Sequence, residues 1–596
     1  MILKTHKTFG RIRDLMSRYS DCIMPLGLML VLWIALLPVL TSGYFGDDVI
    51  NSYAKGVRLF DGMTLFGLTS HYFKGWVTSQ GRFFPFAWYV YWLFETCNSL
   101  FLYKLFSVIS ILITSLTFGY FIFRLTHDRD LSFIFIILLS VLFQCRIYHD
   151  PLLSFQYLMQ VVLLETVLSL IFLVNYLEGK RLYDFVLSCF FFLSSLLTYE
   201  ITYVFFIFHF IVAIKYASRF RERLRITAPY ILLSALSILV SVYLRSKATA
   251  IDPTYQINFN LWVYLKTLLT QIASGLPLIY YISNPSHISV YNPITIMRGI
   301  GVYDFIGTVS FFILFYSSLI RLNTSLASRH LAALGLAFMV VPGLMIALSV
   351  KHQKMHFGLG YLPVFLQYFG VALVVLQFVL WSLGKAGNAV SRKKNAVVLS
   401  CFFTVAYLIN LQNNWRVVEV INSKNLYPRQ VLEHALQNGL LLDVPQYSTI
   451  LIETANVWDN KYFIYQYSGK KMNVFNSGEM GDYKSEVAAQ GKDAAGIYLL
   501  KYDSRSLRDG YVLLGRYRYE LKAPARAPLL RLESLKVYSD NRSPKCLLSN
   551  PAAGMPEMFI SRLVPVKTRE SDFYLTEAPV SGKDFNFNSL KVLNCK

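Results

Sequence analysis

The sequence predicts a polytopic α-helical membrane protein with a C-terminal soluble α+β domain, and three observations carry that prediction. Of 596 residues, 55% are hydrophobic and only 15% charged, with a mean hydropathy of +0.44. No single water-soluble core of this size hides such a balance. Apolar runs long enough to approach or cross a bilayer recur from residue 23 to residue 412. After 413 they stop, and Pro, Gly, Lys, Asp and Glu become common.

The apolar runs lie near 23–40, 100–123, 131–145, 157–177, 185–199, 200–214, 228–244, 304–320, 331–350, 360–383 and 396–412. By length and hydropathy they predict about eleven transmembrane helices in a membrane domain 1–412. Lys4, Lys7, Arg11, Arg13 and Arg18 precede the first run. More runs follow and no small-residue cleavage site stands out, so 23–40 reads as an uncleaved first span.

The chain carries 57 Lys and Arg against 35 Asp and Glu, a net charge of +22. Much of that excess falls in short turns between apolar runs, where membrane topology accounts for it and no nucleic-acid partner is needed. With a cytoplasmic N-terminus, the basic turns 124–130, 178–184, 215–227, 321–330 and 385–395 all fall on the inside, as the positive-inside rule requires. The first loop 41–99, then 146–156, the turn Tyr199-Glu200, 245–303, 351–358 and everything after 411 fall outside.

Within the first outer loop the spacing predicts a helix over 48–60, ended by Asp61-Gly62. The aromatic stretch 83–92 and the segment 262–281 suit interfacial or half-inserted helices. The extracytoplasmic segment 413–596, about 180 residues, is an ordinary domain size. A helix at 428–438 and strands at 447–453, 496–502, 511–521 and 530–538 make it α+β. Of seven cysteines, only Cys546 and Cys595 fall there. In an oxidising compartment they are expected to form a disulfide. No zinc spacing, Walker loop, dinucleotide fingerprint or repeat occurs.

The adjacent acids Asp47 and Asp48, directly after the first apolar run, are placed at headgroup depth, where a lipid-linked phosphate sits. Gly46-Asp47 also makes an ordinary helix N-cap. Neighbouring helix positions point roughly 100° apart, so a capping Asp47 leaves Asp48 a different direction. Close carboxylates resist ionising together, which suits one of them to act as a base.

Arg82 is either a snorkelling anchor or a substrate ligand. Arg146 and His149, in Arg146-Ile-Tyr-His149-Asp150-Pro151, combine a guanidinium, an imidazole and a third outside acid, although Asp-Pro also makes a plain turn. Glu200 needs a cationic partner at that depth, and a structural ion pair is its simpler use. Lys351, His352, Lys354 and His356, before Gly358-Leu-Gly-Tyr361, form the densest cationic group outside. They hold either lipid headgroups or a reacting phosphate. Glu165, Gln160 and Lys104 read as helix-to-helix polar contacts.

One outer acid and several outer cations suffice for sugar transfer from a polyprenyl phosphate. The leaving phosphate needs cationic stabilisation, and the acceptor hydroxyl needs a carboxylate base. A cytoplasmic start, the motif Gly46-Asp47-Asp48 opening a long helical outer loop, many spans and an outer C-terminal domain together resemble the GT-C superfamily of integral-membrane glycosyltransferases. The version most like this chain resembles bacterial enzymes that decorate O-antigen and other surface glycans, including serotype-converting glucosyltransferases.

The resemblance implies a GT-C-like fold in the bacterial inner membrane with a periplasmic C-terminal domain. It implies a polyprenyl-phosphate-linked sugar donor, a glycan or lipid acceptor, and membrane lipid as surroundings. It makes Asp47 the base and Asp48 its partner; Arg82, Arg146, His149 and Glu200 are candidates for the substrates by their place in the outer loops, and Lys351, His352, Lys354 and His356 are placed there by topology only. Tyr462 or Trp458 would then meet the acceptor. Some relatives pair such acids with a divalent metal, and Mg or Mn use is left open, because no third acid lies close in sequence to demand one. Rival readings are an O-antigen polymerase or ligase, a transporter or flippase for a lipid-linked sugar, and a non-catalytic assembly protein.

Overall fold

The computed structural model describes residues 24–594 except 98, 156, 254–255, 285–298, 323–328, 387, 453–459, 477–496, 504–510, 521–528, 540–544, 549–562, 569–570 and 580–590, with backbone alone from 517 onward. The chain divides into two compact units. The first comprises Met1–Ser42, Thr69–Leu93 and Cys97–Val418, and the second Gly43–Leu68, Phe94–Thr96 and Glu419–Lys596.

The protein is an α-helical membrane protein. Among the described residues, seven helices are long and apolar enough to cross a bilayer: Leu100–Thr126, Leu158–Gly179, Phe220–Lys247, Val302–Arg321, Arg329–Ile346, Val364–Gly384 and the run beginning at Ala389. Met24–Leu40 and Leu182–Thr198 are shorter apolar helices. The other two expected spans are also helical but shorter still. Arg129–Leu142 has 14 residues, about 21 Å of rise against a hydrocarbon layer of about 30 Å. The run at 200–214 is interrupted, with a 3₁₀ turn Glu200–Val204 preceding Phe206–Tyr216.

Local chemistry sets these boundaries. Ser99 Oγ accepts the Leu102 N–H at 3.2 Å and starts Leu100–Thr126, which stops where His127 turns left-handed at φ 57°. Asp128 Oδ1 accepts the Leu131 N–H at 2.8 Å and starts the next helix. Small residues let helices approach closely: a Cβ on Gly370 would lie 2.5 Å from the Met339 nitrogen, so Val364–Gly384 and Arg329–Ile346 meet nearly backbone to backbone.

Buried polar contacts tie helices to one another and, for Lys104 and Gln160, to the loop at 151–153 rather than to a second helix. Glu165 accepts from Ser194 Oγ and from Thr198 Oγ1 (3.0 Å), tying Leu158–Gly179 to Leu182–Thr198. Lys104 Nζ donates to the Leu153 carbonyl at 2.7 Å, and Gln160 Nε2 to the Pro151 carbonyl at 2.7 Å. Phe220–Lys247 is different, with only 22% of its spanning stretch buried and Leu232, Leu239 and Val242 exposed. Such a face suits lipid rather than water.

All five basic turns gather at one end of the first unit. Arg124 pairs with Glu178 at 2.5 Å and Arg321 with Asp130 at 2.8 Å. Lys215 donates to the Leu125 carbonyl, and Arg392 to the Leu322 carbonyl. The loops expected on the opposite side also contact one another. Gln80 Nε2 donates to the Ala250 carbonyl at 3.1 Å, Arg82 meets Glu200, and Arg146 reaches the Leu359 carbonyl at 2.7 Å.

The first loop is more broken than the sequence predicts. The helix expected at 48–60 is two short ones, Asp47–Asn51 and Ala54–Phe60, and a third, Leu65–Gln80, follows. In the aromatic stretch a 3₁₀ turn Pro85–Trp88 leads into Tyr89–Thr96. Tyr72 and Tyr91 stack at 5.0 Å, and Phe84 and Trp88 at 5.7 Å, giving that stretch an aromatic core.

The second unit holds a mixed sheet. Its strands are β1 (Thr449–Ile452), β2 (Asn473–Asn476), β3 (Ile497–Asp503), β4 (Tyr511–Glu520), β5 (Leu529–Ser539), β6 (Lys545–Leu548), β7 (Leu563–Thr568), β8 (Ser571–Pro579) and β9 (Lys591–Asn594). The order is β2-β1-β3-β4-β5-β8-β7, with β6 and β9 paired separately. β1 runs parallel to β2 and β3, and the helix Lys461–Ser468 lies in the β1-to-β2 connection. Tyr498, Leu500 and Tyr502 are buried at alternate positions of β3, as are Val512 and Leu514 of β4. Tyr427–Gln437 packs on those two strands, burying Val431, Leu432, Ala435 and Leu436. Cys595, Trp458 and the side chain of Cys546 lie outside the described residues, and with them the expected disulfide.

Candidate functional site

In the second unit, Asp47 and Asp48 open the helix Asp47–Asn51. The N-cap is Gly46 rather than Asp47, and its φ of 58° with ψ −134° is a conformation that glycine adopts without a Cβ penalty. The two acids differ in environment: Asp47 is exposed and Asp48 buried. Asp48 lies close enough to Tyr44 for its charge to act on that phenol, whose pKa is raised chiefly by burial. Its carbonyl accepts the Ser52 N–H at 2.9 Å.

In the first unit, side chains from two loops converge on Tyr361. The His149 ring meets it edge-on at 5.1 Å, the His352 ring lies 4.0 Å away, and Lys351 Nζ sits 5.7 Å from its ring. Backbone geometry presents these groups. A short antiparallel bridge joins Ile257 to Ser349, and Val350 N–H donates to the Gln256 carbonyl at 3.1 Å. Gln353 Nε2 then donates to the carbonyls of Asn258 (3.1 Å) and Ala347 (3.0 Å), closing the turn that carries Lys351 and His352. His149, Phe155 and Tyr157 all have positive φ (43°, 66° and 62°), uncommon for such side chains and a sign of a loop held by its surroundings.

Asp150 is one of those constraints. Its carboxylate accepts the backbone N–H of Arg146, of Leu152 (2.5 Å) and of Leu153 (3.0 Å). Burial pushes its pKa up to about 6, against the lowering by those donors and by the Arg146 charge.

Arg82 is buried and bidentate on Glu200, Nη2 to Oε2 at 2.7 Å and Nε to Oε1 at 3.1 Å. Its guanidinium also lies 4.8 Å from the Phe84 ring and 5.3 Å from Trp76. Glu200 therefore has the cationic partner its depth requires. Arg146, 1% exposed, donates to the carbonyls of Leu359 (2.7 Å) and Ser274 (2.6 Å) and to the Tyr368 hydroxyl (3.1 Å). Those bonds make it a strut between loops. Lys354 and His356 are exposed, apart from the Tyr361 group.

Gly360 makes room for the strut. Its φ is +68°, and a Cβ there would lie 2.1 Å from Arg146 Nη1 and 2.7 Å from Val364. Gly360→Ala is expected to destabilise the first unit by about 2 kcal/mol or more, from the left-handed backbone and the displaced guanidinium together. A lowered unfolding midpoint of the purified chain checks this; an unchanged midpoint would refute the packing described.

The imidazoles are neutral near pH 7. Burial, then the Lys351 charge, lowers the His149 pKa to about 4. Burial, then Lys351, His149 and Arg82, lowers that of His352 to about 3. An unfolded chain takes up protons at the ordinary histidine value of about 6.5. The stabilisation these neutral rings represent is thus complete above about pH 6.5 and is lost as pH falls toward the folded values. Asp150, with a raised pKa, acts in the opposite sense, so the contrast is best drawn at each pH between wild type and His352→Gln. The variant is expected to lose less stability between pH 7 and pH 4, read as the unfolding midpoint against pH; parallel curves would contradict it.

Chemically, this group offers the Lys351 ammonium beside two neutral imidazoles, with the Arg82 charge offset by Glu200. Neutral imidazole can donate one hydrogen bond and accept another, and ammonium attracts an anionic oxygen. Among the described residues, no three His, Cys, Asp or Glu side chains come together in a way that could hold a metal ion.

Sequence reasoning missed Tyr361 as the hub and Asp304 as a buried acid. Asp304 accepts from the Gly301 N–H (2.8 Å), Gln412 Nε2 (2.9 Å) and Trp415 Nε1 (3.3 Å). The signal was the polar string Gln412-Asn413-Asn414-Trp415 ending the last apolar run. Tyr462, expected to meet the acceptor, is half-buried and presents its ring edge-on to Phe60 at 5.3 Å. No protein-family model and no curated protein matches the chain.

Proposed function

We propose that the chain is a GT-C-type glycosyltransferase of the bacterial inner membrane. It transfers a sugar, with inversion, from a polyprenyl phosphate to a hydroxyl of a cell-envelope glycan or lipid at the periplasmic face. The observation that carries this reading is the carboxylate pair: an exposed Asp47 and a buried Asp48 on the first turn of the short helix that follows the first apolar helix. The gathering of all five basic turns at one end of the first unit supports the orientation, because the positive-inside rule assigns that end to the cytoplasm.

In this reading the Asp47 carboxylate takes the proton of the acceptor hydroxyl. The oxygen attacks the anomeric carbon opposite the phosphate, and the bond from that carbon to the phosphate oxygen breaks. Its electron pair leaves with polyprenyl phosphate. A stable anion departs, so the step needs cationic stabilisation and no proton donor. Cationic side chains of the outer loops would supply it. Arg82 and Arg146 are committed to Glu200 and to main-chain carbonyls, which weighs against a polymerase or ligase built on outer-loop arginines.

The test is a deletion of the gene followed by mass spectrometry of the surface glycan. A transferase predicts loss of one sugar residue per acceptor. Loss of chain length would indicate a polymerase, loss of the whole glycan a transporter or ligase, and an unaltered glycan would leave the carboxylate pair a structural feature.

A further inference from the structure

The second unit contains the acid-bearing segment 43–60 as well as residues 419–596, and the contacts between those two stretches are unusually polar and specific. Asn422, in a π-helical turn, accepts the Gly43 N–H through Oδ1 at 2.9 Å. Gln466 accepts the Gly56 N–H through Oε1 at 2.9 Å and donates to the Ser52 carbonyl through Nε2 at 3.2 Å. Lys471 Nζ donates to the Phe60 carbonyl at 2.8 Å. Main-chain groups of a broken, partly irregular segment are thus satisfied by side chains from more than 370 positions later.

At the centre is Arg429, 3% exposed. Its Nε donates to Glu433 Oε1 at 2.5 Å, Nη1 to Ser52 Oγ at 2.7 Å and Nη2 to the Tyr467 hydroxyl at 3.4 Å. The guanidinium lies 4.7 Å from the Tyr44 ring and 5.2 Å from the Phe463 ring. Tyr44 precedes the acid pair by three residues, and Ser52 caps the C-terminal end of its helix with its N–H on the Asp48 carbonyl. Both ends of Asp47–Asn51 therefore rest on one buried cation. Alone, a helix of 5 residues has no stability of its own, so its direction is set by what holds its ends.

We infer that Arg429 is a positioning residue for the carboxylate pair, and that residues 422–471 serve as the scaffold of the acid-bearing segment. The inference rests on the reading of Asp47 as the base. It gives the C-terminal part of the chain a role in transfer beyond covering a cavity or meeting an acceptor. A buried guanidinium with a fixed fork holds two partners in a geometry that lysine reproduces only in part.

The test uses the purified full chain in detergent and membranes of cells carrying each variant. Arg429→Met removes the charge and keeps the bulk, Arg429→Lys restores the charge, and Ser52→Ala removes the bond from Arg429 and the hydroxyl's own bond to the Val49 carbonyl while leaving the Arg429–Glu433 pair intact. In Arg429→Met, amide hydrogen exchange at 47–52 is expected to quicken roughly tenfold or more, with Leu158–Gly179 in the other unit unchanged. Sugar transfer to the surface glycan should fall by about tenfold or more, as misplacement of a reacting group predicts. Arg429→Lys should recover part of both losses, which a general folding defect would not. Ser52→Ala should show the same two changes at smaller size, and if Arg429→Met fails to fold, unchanged exchange in Ser52→Ala still overturns the inference, while partial recovery in Arg429→Lys supports it.

Unchanged exchange at 47–52 in Ser52→Ala and in a folded Arg429→Met overturns the inference. So does quickened exchange with wild-type transfer. Failure of the underlying reading looks different: Asp47→Asn would transfer normally, whatever the exchange rates of the Arg429 variants.

Discussion

Asp47→Asn is expected to slow sugar transfer by about a hundredfold to ten-thousandfold, the span that general-base catalysis contributes. The substitution keeps side-chain size and removes the carboxylate's charge and with it the ability to take a proton. The amide keeps an oxygen that can accept hydrogen bonds and Asp47 is exposed, so the amount of folded protein in the membrane should not change. That separation makes the variant informative. The check is the initial rate of transfer in membranes adjusted to equal protein, beside Asp48→Asn. Asp48 is buried, and its amide variant should lower the yield of folded chain as well as the rate. Should Asp48→Asn alone abolish transfer while Asp47→Asn works normally, the assignment of base and partner is reversed.

The second large effect concerns stability. Glu200→Gln should destabilise the first unit by about 3 kcal/mol or more, because it leaves the buried Arg82 guanidinium without its counter-charge. The side chains of the pair are only 10% and 16% exposed, so water cannot replace the carboxylate. Replacing both partners, Arg82→Met with Glu200→Leu, should cost much less, since no unpaired charge then stays behind. Unfolding midpoints of the two variants decide it. Equal losses would mean that the pair contributes packing rather than charge compensation.

How much of this was legible in the sequence depends on the range of the interaction concerned. Apolar runs and basic turns are local, and every run expected to span became a helix, although Arg129–Leu142 and Phe206–Tyr216 fall short of a bilayer's thickness. Strands β3, β4 and β5 lie where alternation and β-branched or aromatic content put them. Leu65–Gln80 was not legible because Gly67, Gly75 and a run of Ser and Thr dilute its periodicity.

The site was legible as residue types in loops, and much less as geometry. Glu200 in a tight turn announces its need for a cation, yet nothing local points to Arg82, 118 positions earlier. The Lys351, His352, Lys354 and His356 cluster reads as one basic rim. Backbone turns divide it, burying His352 against Tyr361 and leaving Lys354 and His356 exposed. Arg429 sits in an ordinary amphipathic pattern with Glu433 four residues on, and only the folded unit brings Ser52 to it.

The most direct test of the account follows a single labelled sugar. Membranes containing the wild-type chain would be given a polyprenyl phosphate carrying, in labelled form, the sugar whose mass is missing from the deletion strain's glycan. The account predicts that label appears in the envelope acceptor, that polyprenyl phosphate is released in equal amount, and that neither happens with Asp47→Asn. Label that stays on the lipid and only changes sides of the bilayer would contradict it and make the protein a transporter.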